Sequence, residues 1–338
     1  MKLRVGVVGV GSAWRTRHCP ALRALADRFE VRAVCAEVAA RAERAAAEFG
    51  ATAVDGFRAL TRRDDIDAIL VLTSEWYGPL PLLAACEYGK AVYCAAALDM
   101  DPRRTAEIKR RVEDSGVAFM AEFPRRHAPA TVRLKELIAT QLGPPRLLFC
   151  HGRDELIARS GGGPTSAGGQ QWSRDLLELV DWVWYIVGCN PSWVVGMAHH
   201  GCDGSVDFET ITLDFSSRES VGTGPLAQIT LNRYLKSAWR EAAAFHAAAD
   251  LKVCCERGVA FLDLPGKLVW FDDAGQHVES LEDERPVGEQ MLLQFHRAVT
   301  SLFRKTSDLE DTYRALRVVL AARESHASGR RIGLDDCV

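Results

Sequence analysis

The sequence predicts an α/β fold: an N-terminal doubly wound parallel sheet, then a C-terminal α+β domain with a large, mostly antiparallel open sheet. Apolar runs alternate with helical patterns up to about residue 140, and consecutive strand-like runs follow residue 190. Strands separated by helices favour a parallel sheet, whereas consecutive strands favour an antiparallel one. The pattern changes near Gly143-Pro144-Pro145. We expect domains at residues 1–124 and 125–338, with the last helices as candidates for packing back on the first.

The first domain is interpreted as an alternation of buried strands and amphipathic helices. We predict strands at residues 3–8, 31–35, 66–73, 91–94 and 117–123. We predict helices at residues 39–49, 79–88, 102–115 and 130–140, in addition to one that follows residues 9–14 and runs through Leu22 and Leu25. Gly50 and Gly89 favour the ends of two of these helices, because glycine adopts the left-handed conformation that ends a helix.

The second domain contains one strong helical pattern followed by strands. We predict that helix at residues 172–187, and strands at residues 193–199, 209–215, 227–231, 252–256, 259–262 and 268–271. Two further helices are predicted at residues 287–303 and 309–325. Residues 160–171 are rich in Gly, Ser and Gln, which predicts a loop of the kind that often carries substrate contacts.

The composition excludes several classes of protein. The 338 residues are 48% hydrophobic and 26% charged, with a net charge of −3, so nucleic acid is not an expected partner. No run approaches ~18 consecutive apolar residues, so no membrane span is expected. Arg4 and Gly6 interrupt the first apolar run, so no secretory signal is expected. The ten cysteines stand at irregular spacings, which favours buried free thiols and a cytoplasmic location over disulfides.

A glycine turn directly follows the first strand and carries the strongest functional signal. It reads Gly9-Val10-Gly11-Ser12-Ala13-Trp14, and a helical pattern comes next. This order of strand, turn and helix is the dinucleotide-binding fingerprint, in which backbone amides at the helix start face a pyrophosphate. Trp14 stands where the third glycine is usual. The alternative is a turn between strand and helix that binds no ligand.

At this point the chain resembles the glucose–fructose oxidoreductase / inositol dehydrogenase (Gfo/Idh/MocA) family. The likeness rests on the glycine turn, Val34-Cys35, Leu72-Thr73-Ser74, residues 84–93, Arg125-Arg126 with Pro129, and the helix that ends in Asp181-Trp182 to Gly188. It implies a Rossmann domain and an open-sheet domain, with NAD or NADP as cofactor and a sugar, cyclitol or related small molecule as substrate. Because sheets of this family commonly form oligomer interfaces, it also implies a homodimer or homotetramer.

The resemblance extends the expected cofactor contacts beyond the turn. These contacts are Gly9, Gly11, Ser12, Ala13, Trp14, Glu37, Thr73, Ser74, Glu75, Ala95 and Ala96. Glu37 favours NAD, because a carboxylate near the adenosine ribose bonds its hydroxyls and repels a 2′-phosphate. Arg41 is interpreted as a solvated helix residue, and NADP remains the alternative.

The sequence departs from the family where the catalytic residues are expected. Family enzymes usually carry Glu-Lys-Pro where this chain has Ala95-Ala96-Ala97. A methyl group neither donates a hydrogen bond nor carries a proton. The Asp and the His that usually lie near the substrate correspond to Arg174 and Glu178.

The catalytic candidates are therefore Glu178, Arg174 and Asp181, which share one helix face by their spacing. One interpretation makes Glu178 an acid or base with a pKa raised by burial. The other makes Arg174 and Glu178 an ordinary helix ion pair.

Several histidines lie outside this group. His127 is expected to be structural, and His151 lies on a segment that would lead towards the active site. The run His199-His200-Gly201-Cys202-Asp203 is rich in potential ligands, but neighbouring strand residues face opposite sides, and Cys254-Cys255 have the same limitation. No metal site is expected.

Two functions remain open from the sequence. The first is an NAD(P)-dependent oxidoreductase, with NAD favoured, that acts on a sugar-like, cyclitol-like or polyol-like substrate. The second is a non-catalytic ligand-sensing or regulatory protein on the same fold, since a fold alone does not fix activity. The three alanines and the missing histidine favour the second function, whereas the glycine turn implies cofactor binding in both.

Overall fold

The chain divides into two compact units, each with its own sheet. The computed structural model describes residues 1–73, 77–95, 101–153, 166–202, 204–217, 220, 222–233, 249–301 and 307–334. Unit 1 comprises Met1–Pro124 with Arg285–Tyr313, and unit 2 comprises Arg125–Glu284 with Arg314–Val338. A late segment of the chain therefore completes the first unit.

Unit 1 is built on a parallel sheet whose described strands have the order β3-β2-β1-β4-β5-β6. The strands are β1 (Leu3–Val8), β2 (Phe29–Cys35), β3 (Thr52–Ala53), β4 (Ala68–Val71), β5 (Ala91–Cys94) and β6 (Phe119–Ala121). The helices before the second unit are α1 (His18–Ala24), α2 (Ala39–Ala47), α3 (Phe57–Thr61), α4 (Leu80–Glu87) and α5 (Pro102–Ser115). The order reverses between β1 and β4, which is where doubly wound sheets bind ligands.

Both faces of this sheet are buried. Val5 and Val7 belong to one apolar cluster, and Val8 and Ile69 belong to the cluster on the other side. A strand covered on both faces needs apolar residues at nearly every position, which explains its continuous apolar runs. The prediction of a doubly wound parallel sheet is confirmed.

The helix predicted after the glycine turn is present as α1, which extends to Ala24. A short 3-10 turn spans Ser12–Trp14, and α1 begins only at His18. Pro20 explains the break, because proline has no N–H and clashes with the preceding turn in a helix interior, yet is tolerated in the first turn. The helix therefore starts where Pro20 falls in its first turn, and the amide of Ala21 bonds the carbonyl of Arg17 at 3.2 Å.

Unit 2 contains a second sheet with the order β14-β13-β12-β11-β7-β10-β9-β8-β15 among its described strands. They are β7 (Pro145–Arg153), β8 (Trp193–His200), β9 (Val206–Asp214), β10 (Leu226–Asn232), β11 (Leu251–Cys255), β12 (Val259–Asp263), β13 (Lys267–Asp272), β14 (Gly275–Ser280) and β15 (Ile332–Gly333). The helices α6 (Pro129–Leu137) and α7 (Ser166–Val187) belong to this unit, α8 (Val287–Thr300) returns to unit 1, and α9 (Ser307–Ser328) follows. Only β7 and β10 pair in parallel among these strands, which confirms the mostly antiparallel sheet.

Helices pack on one face of this second sheet. Gly152 of β7 leaves space for Leu179 of α7, because a Cβ there would lie 2.6 Å from the Leu179 side chain. Gly196 of β8 likewise faces the Ala322 carbonyl of α9, where a Cβ would lie 2.1 Å away. Glycine is thus needed where these helices lie closest to the strands.

The opposite face carries apolar side chains in contact with solvent. Leu147 and Leu226 are paired in register and are each 42% exposed. Phe271 and Val278, nearer the β14 edge, are 39% and 62% exposed. Between them Lys252 lies 5.6 Å from the ring centres of both Phe149 and Phe261. We call this the open face.

Some element bounds differ from the sequence prediction. α7 begins at Ser166 rather than at residue 172, because Gly168 and Gly169 weaken the helical pattern in its first turns. The strand β14 is polar and lies at an edge of the sheet, so it gives no strong apolar signal. Among the described residues, no helix has the length and apolar character that crossing a bilayer requires.

Candidate functional site

A cavity of about 550 Å³ lies within unit 1 at the carboxyl ends of β1, β2 and β4. Its lining consists of the glycine turn, the segment after β2, the exposed side of α2 and the residues after β4. These residues are Gly9, Val10, Gly11, Trp14, Arg15, Ala36, Glu37, Arg41, Arg44, Ala45, Glu48, Thr73 and Tyr77. Its volume lies within the range of about 300–1,000 Å³ that is typical of small-molecule sites.

Two glycines form the part of the cavity next to β4. Gly9 has a φ of +84°, and a Cβ there would lie 2.0 Å from the Thr73 side chain. A Cβ on Gly11 would lie 3.0 Å from the Leu72 carbonyl oxygen. Both positions therefore require glycine for steric reasons within the protein itself, as well as for access of a ligand to the backbone.

The turn also offers hydrogen-bond donors to the cavity. Within the described residues, the amides of Val10 and Gly11 donate no hydrogen bond, whereas the Gly9 amide donates to the Cys35 carbonyl at 2.8 Å. Backbone N–H groups without a protein partner favour an anionic ligand or water. The Ser12 and Ala13 backbones continue this turn, and α1 begins too far along the chain to extend it.

Trp14 has a structural role that a third glycine would lack. Its side chain is 3% exposed and meets Phe49 edge-on, with 5.9 Å between the ring centres. It therefore joins the turn to the residues after α2 while one side of it lines the cavity.

The cavity carries charges of both signs on its α2 side. Glu37 and Arg41 are exposed and both line it, so Arg41 is not only a solvated helix residue. Arg44 lines it too, and its Nε donates to the Ala40 carbonyl at 3.1 Å. Glu48 accepts hydrogen bonds from Cys19 and Arg23, at 2.9 Å each. Glu37, Arg41 and Arg44 thus give this side of the cavity one negative and two positive side chains.

The other predicted cofactor contacts lie at strand ends. Thr73 lines the cavity, and Ala95, directly after β5, is half-buried and packs on the core of unit 1. Ser74, Glu75 and Ala96 lie outside the described residues, so their predicted contacts remain predictions.

In unit 2, the predicted catalytic residues lie on α7 and face two neighbouring arginines. Asp181 is 2% exposed and forms a two-pronged ion pair with Arg126, whose Nε lies 2.7 Å from Oδ2. The Glu178 carboxylate lies 3.9 Å from Nε of Arg125, and both side chains are 26% exposed. The structure therefore brings Glu178 to Arg125, a partner that sequence spacing did not suggest, while Arg174 lies one helical turn earlier on the same face.

His127 and His151 both have pKa values below that of an ordinary histidine. Burial and the neighbouring Arg126 lower the pKa of His127 to about 4. Burial and the Arg153 charge also lower the pKa of His151, although Asp250 opposes the shift. The His151 Nδ1 lies 2.9 Å from the Thr230 hydroxyl. Both groups are therefore better suited to accepting a proton or a hydrogen bond than to carrying charge at neutral pH.

The remaining histidine and cysteine candidates do not converge. His199 pairs with Asp207 at 2.7 Å, whereas His200 stacks on His326, and Asp203 lies outside the described residues. Within the residues described, no group of three His, Cys, Asp or Glu side chains has an arrangement suited to a metal ion.

A buried charged cluster in unit 1 was not anticipated from the sequence. Glu122, directly after β6, forms an ion pair with Arg17 and lies 3.0 Å from Nε2 of His18, with a side chain that is 2% exposed. Burial alone would raise the pKa of Glu122, but the hydrogen bond and charge of His18 and the charge of Arg17 outweigh it and lower the pKa. The fully buried Tyr93 hydroxyl donates to Sδ of Met291 at 3.8 Å.

With this geometry established, comparison with known proteins identifies the domain. Residues 3–123 match the Gfo/Idh/MocA family model, which is described as an oxidoreductase family with an NAD-binding Rossmann fold. D-xylose 1-dehydrogenase (NADP(+)) 2 of Haloferax volcanii is 31% identical over 144 residues, 41% of this chain and 42% of that protein. Inositol 2-dehydrogenase of Rhizobium meliloti is 28% identical over 170 residues, 48% of this chain and 50% of that protein. The chain thus matches these curated relatives over half of their length or less.

A solved structure extends the likeness of the fold over both units. Levoglucosan dehydrogenase, in complex with NADH and levoglucosan, superposes with a TM-score of 0.80, covering 99% of this chain and 100% of that one. The two sequences are 16% identical, so this comparison establishes the fold and not the substrate.

The buried cluster predicts a pH-dependent contribution to stability. Glu122→Gln leaves Arg17 and His18 without their counter-charge, so we expect a loss of about 3–5 kcal/mol in the free energy of unfolding. Because the folded-state pKa lies below the ordinary value of 4.5, the stabilisation is complete above that pH and is lost as the pH falls through the folded value. Denaturant unfolding at pH 7 and at stepped acidic pH measures both effects.

Glu107→Gln provides the matched control, because Glu107 pairs with Arg111 on the exposed side of α5 and both side chains are more than half exposed. It should cost less than about 1 kcal/mol. Equal unfolding midpoints for Glu122→Gln and wild type would contradict the assignment.

Proposed function

We propose that this chain, whose residues 3–123 match the Gfo/Idh/MocA oxidoreductase family model, is an NAD-preferring oxidoreductase acting on a sugar-, cyclitol- or polyol-like substrate. The observation that carries the proposal is the unit 1 cavity, with Gly9 and Gly11 at its turn and Glu37 at its α2 side. Relatives that match the first half of the chain act, by their names, on D-xylose and inositol. These names give the substrate class that we propose for this chain.

The cavity suits a dinucleotide on physical grounds. The turn holds the backbone amides of Val10 and Gly11 towards the space that a pyrophosphate would take, and Glu37 suits ribose hydroxyls. When bound, NAD(P) supplies the hydride acceptor or donor. The protein's own part is to orient the two reactants and to manage the proton of the reacting hydroxyl.

We assign proton management to Glu178. Its side chain is 26% exposed and so can meet a ligand, whereas Asp181 is buried in its ion pair with Arg126. Arg125, at 3.9 Å, would stabilise its charged form. In this proposal Arg126 and Asp181 hold the helix and the segment before α6 in place, and Arg174 contributes positive charge.

A non-catalytic ligand-binding protein is the second candidate function. It is favoured by Ala95 at the end of β5, followed in the sequence by Ala96 and Ala97, where the family usually has Glu-Lys-Pro. Such a protein would still bind the dinucleotide, because the glycine turn is retained. Because both candidate functions include binding of the dinucleotide, only a measurement of substrate turnover distinguishes the enzyme from the non-catalytic protein.

Cofactor titration tests the dinucleotide site. We expect NADH to bind more tightly than NADPH, because Glu37 repels a 2′-phosphate, and we expect Glu37→Gln to narrow that difference by about tenfold. Arg41→Gln should instead weaken NADPH alone. Quenching of protein fluorescence provides the measurement, since Trp14 lines the cavity.

Two controls make the titration decisive. Glu43→Gln changes an exposed carboxylate of the same helix that does not line the cavity, so it should leave both affinities unchanged. Gly11→Val should remove binding of both cofactors, with melting curves to verify that the variant folds. If Gly11→Val left the affinities for both cofactors unchanged, the proposed cofactor site would be refuted. If the wild type bound NADPH more tightly than NADH, the arginines that line the cavity, and not Glu37, would determine the cofactor preference.

Turnover with a panel of sugars and polyols tests the catalytic assignment. We expect slow reduction of NAD, because loss of a positioned acid–base group typically removes about 10²–10⁴ of the rate. Glu178→Gln should lower kcat further and remove the acidic limb of its pH profile, and Ala96→Lys alone should not restore a fast rate.

Glu324→Gln on α9, which is half-exposed, is the matched carboxylate control. Robust turnover that is insensitive to Glu178→Gln would mean that the active site is elsewhere. Complete absence of turnover with bound NAD would favour the non-catalytic function.

We also propose that the open face of unit 2 forms a homo-oligomer interface. Exposed apolar side chains on a broad sheet face favour association, and a two-fold pairing would bury the same patch on both subunits. Phe271→Asp should therefore yield monomers, measured by light scattering at micromolar concentration. Leu80→Asp, at a 49% exposed position of α4, is the control. A monomer mass for the wild type would contradict the interface.

A further inference from the structure

Arg125 and Arg126 are consecutive in unit 2 but differ in their contacts with carboxylates. Arg126 is 15% exposed, donates two hydrogen bonds to Asp181, and lies with its guanidinium 5.3 Å from the Tyr185 ring centre. The Asp181 carboxylate therefore neutralises the charge of Arg126 and occupies two of its hydrogen-bond donors. Arg125 has no comparable partner.

The donors of Arg125 are left open. Among the residues that the structure describes, its guanidinium donates no hydrogen bond. Its nearest carboxylate oxygen, on Glu178, is 3.9 Å from Nε, which exceeds a hydrogen-bond distance, and the terminal nitrogens lie no closer. Within the described part of the chain, Nε of Arg125 is buried without a hydrogen-bond partner, which is unfavourable, whereas the terminal nitrogens are not enclosed in this way and can be reached by a ligand.

The guanidinium is nevertheless held in a defined place. Its central carbon lies 5.4 Å from the ring centre of Trp182, a side chain that is itself fully buried in unit 2. Stacking on an aromatic face fixes the plane of the guanidinium and leaves its edge free for a ligand. A planar fork with a free edge matches the two oxygens of a carboxylate or phosphate.

The local charge favours the same class of ligand. Arg125 and Arg174 bring two positive charges to the α7 face that carries the single negative charge of Glu178, while Arg126 and Asp181 neutralise each other. The nearby His127 is neutral at pH 7, because burial and Arg126 lower its pKa to about 4. This group of described side chains therefore has a net positive charge.

From these observations we propose that Arg125 binds an anionic group of the substrate, so that the substrate is a sugar derivative bearing a carboxylate or phosphate rather than a neutral polyol. The inference rests on the proposed function, because it assigns the recognised group to the substrate of that same site. The terminal nitrogens of Arg125 receive the anion, since Nε faces Glu178 and a second negative charge there would be repelled.

Calorimetric titration of the full-length protein, with and without saturating NADH, tests this recognition. D-glucuronate carries a carboxylate, D-glucose 6-phosphate carries a phosphate, and D-glucose is their neutral counterpart. We expect at least one anionic ligand to bind about tenfold more tightly than glucose, and Arg125→Gln to remove that preference. Arg125→Lys should lose several-fold in affinity, because an ammonium does not reproduce the planar fork.

Arg146→Gln is the matched control, since Arg146 lies in unit 2 with an exposed pair to Glu256 and should leave all affinities unchanged. NADH affinity should be the same in every variant. If the melting curve shows that Arg125→Gln does not fold, Arg125→Lys is the deciding variant. If Arg125→Lys keeps the full preference for an anionic ligand over glucose, the proposal is overturned.

The outcomes separate this inference from the proposed function. Binding of glucose as tight as that of both anionic ligands overturns the inference, whatever NADH does. A preference for an anionic ligand that Arg125→Gln abolishes upholds the inference, even if no sugar is oxidised and the proposed oxidoreductase activity fails. The relative affinities of glucuronate and glucose 6-phosphate identify which anionic group is recognised.

Discussion

The close packing of the glycine turn against the end of β4 is the constraint on which unit 1 depends. The Gly9 amide bonds the Cys35 carbonyl at 2.8 Å, and the Leu72 amide bonds the Val8 carbonyl at 2.9 Å, so the end of β1 is tied to both neighbouring strands. The absence of side chains at Gly9 and Gly11 lets Thr73 and Leu72 approach. Backbone packing therefore determines the shape of the cavity beside the turn.

The sequence predicted those elements whose signals are local. Residues 91–94 and 102–115 form the expected strand and helix at the expected bounds, because one is a short buried run and the other has an Asp101 cap and a Gly116 stop. The helical pattern after the glycine turn did not specify where α1 begins, and Pro20 places that start at His18. β14 was missed because an edge strand in contact with solvent has little need of apolar residues.

The candidate sites show a different limit, which concerns distance along the chain. Glu122 and His18 are separated by 104 residues, and Asp181 and Arg126 by 55, so no spacing rule relates them. The sequence identified the face of α7 that carries Arg174, Glu178 and Asp181, but not the arginines opposite it. Charges brought together by tertiary packing determine what such a face can bind, and only the fold reveals them.

The two cations next to Tyr185 have a thermodynamic consequence. The Lys135 ammonium lies 5.2 Å from that ring centre and donates to the Tyr185 carbonyl near the end of α7 at 3.0 Å, and the Arg126 guanidinium lies 5.3 Å from the same ring centre. The backbone next to Arg125 is thereby anchored before any ligand arrives. Immobilising a flexible side chain costs about 0.5–1.5 kcal/mol, and a side chain already stacked on Trp182 avoids most of that cost. Association at this arginine should thus be driven by enthalpy, with little entropic penalty from ordering the protein.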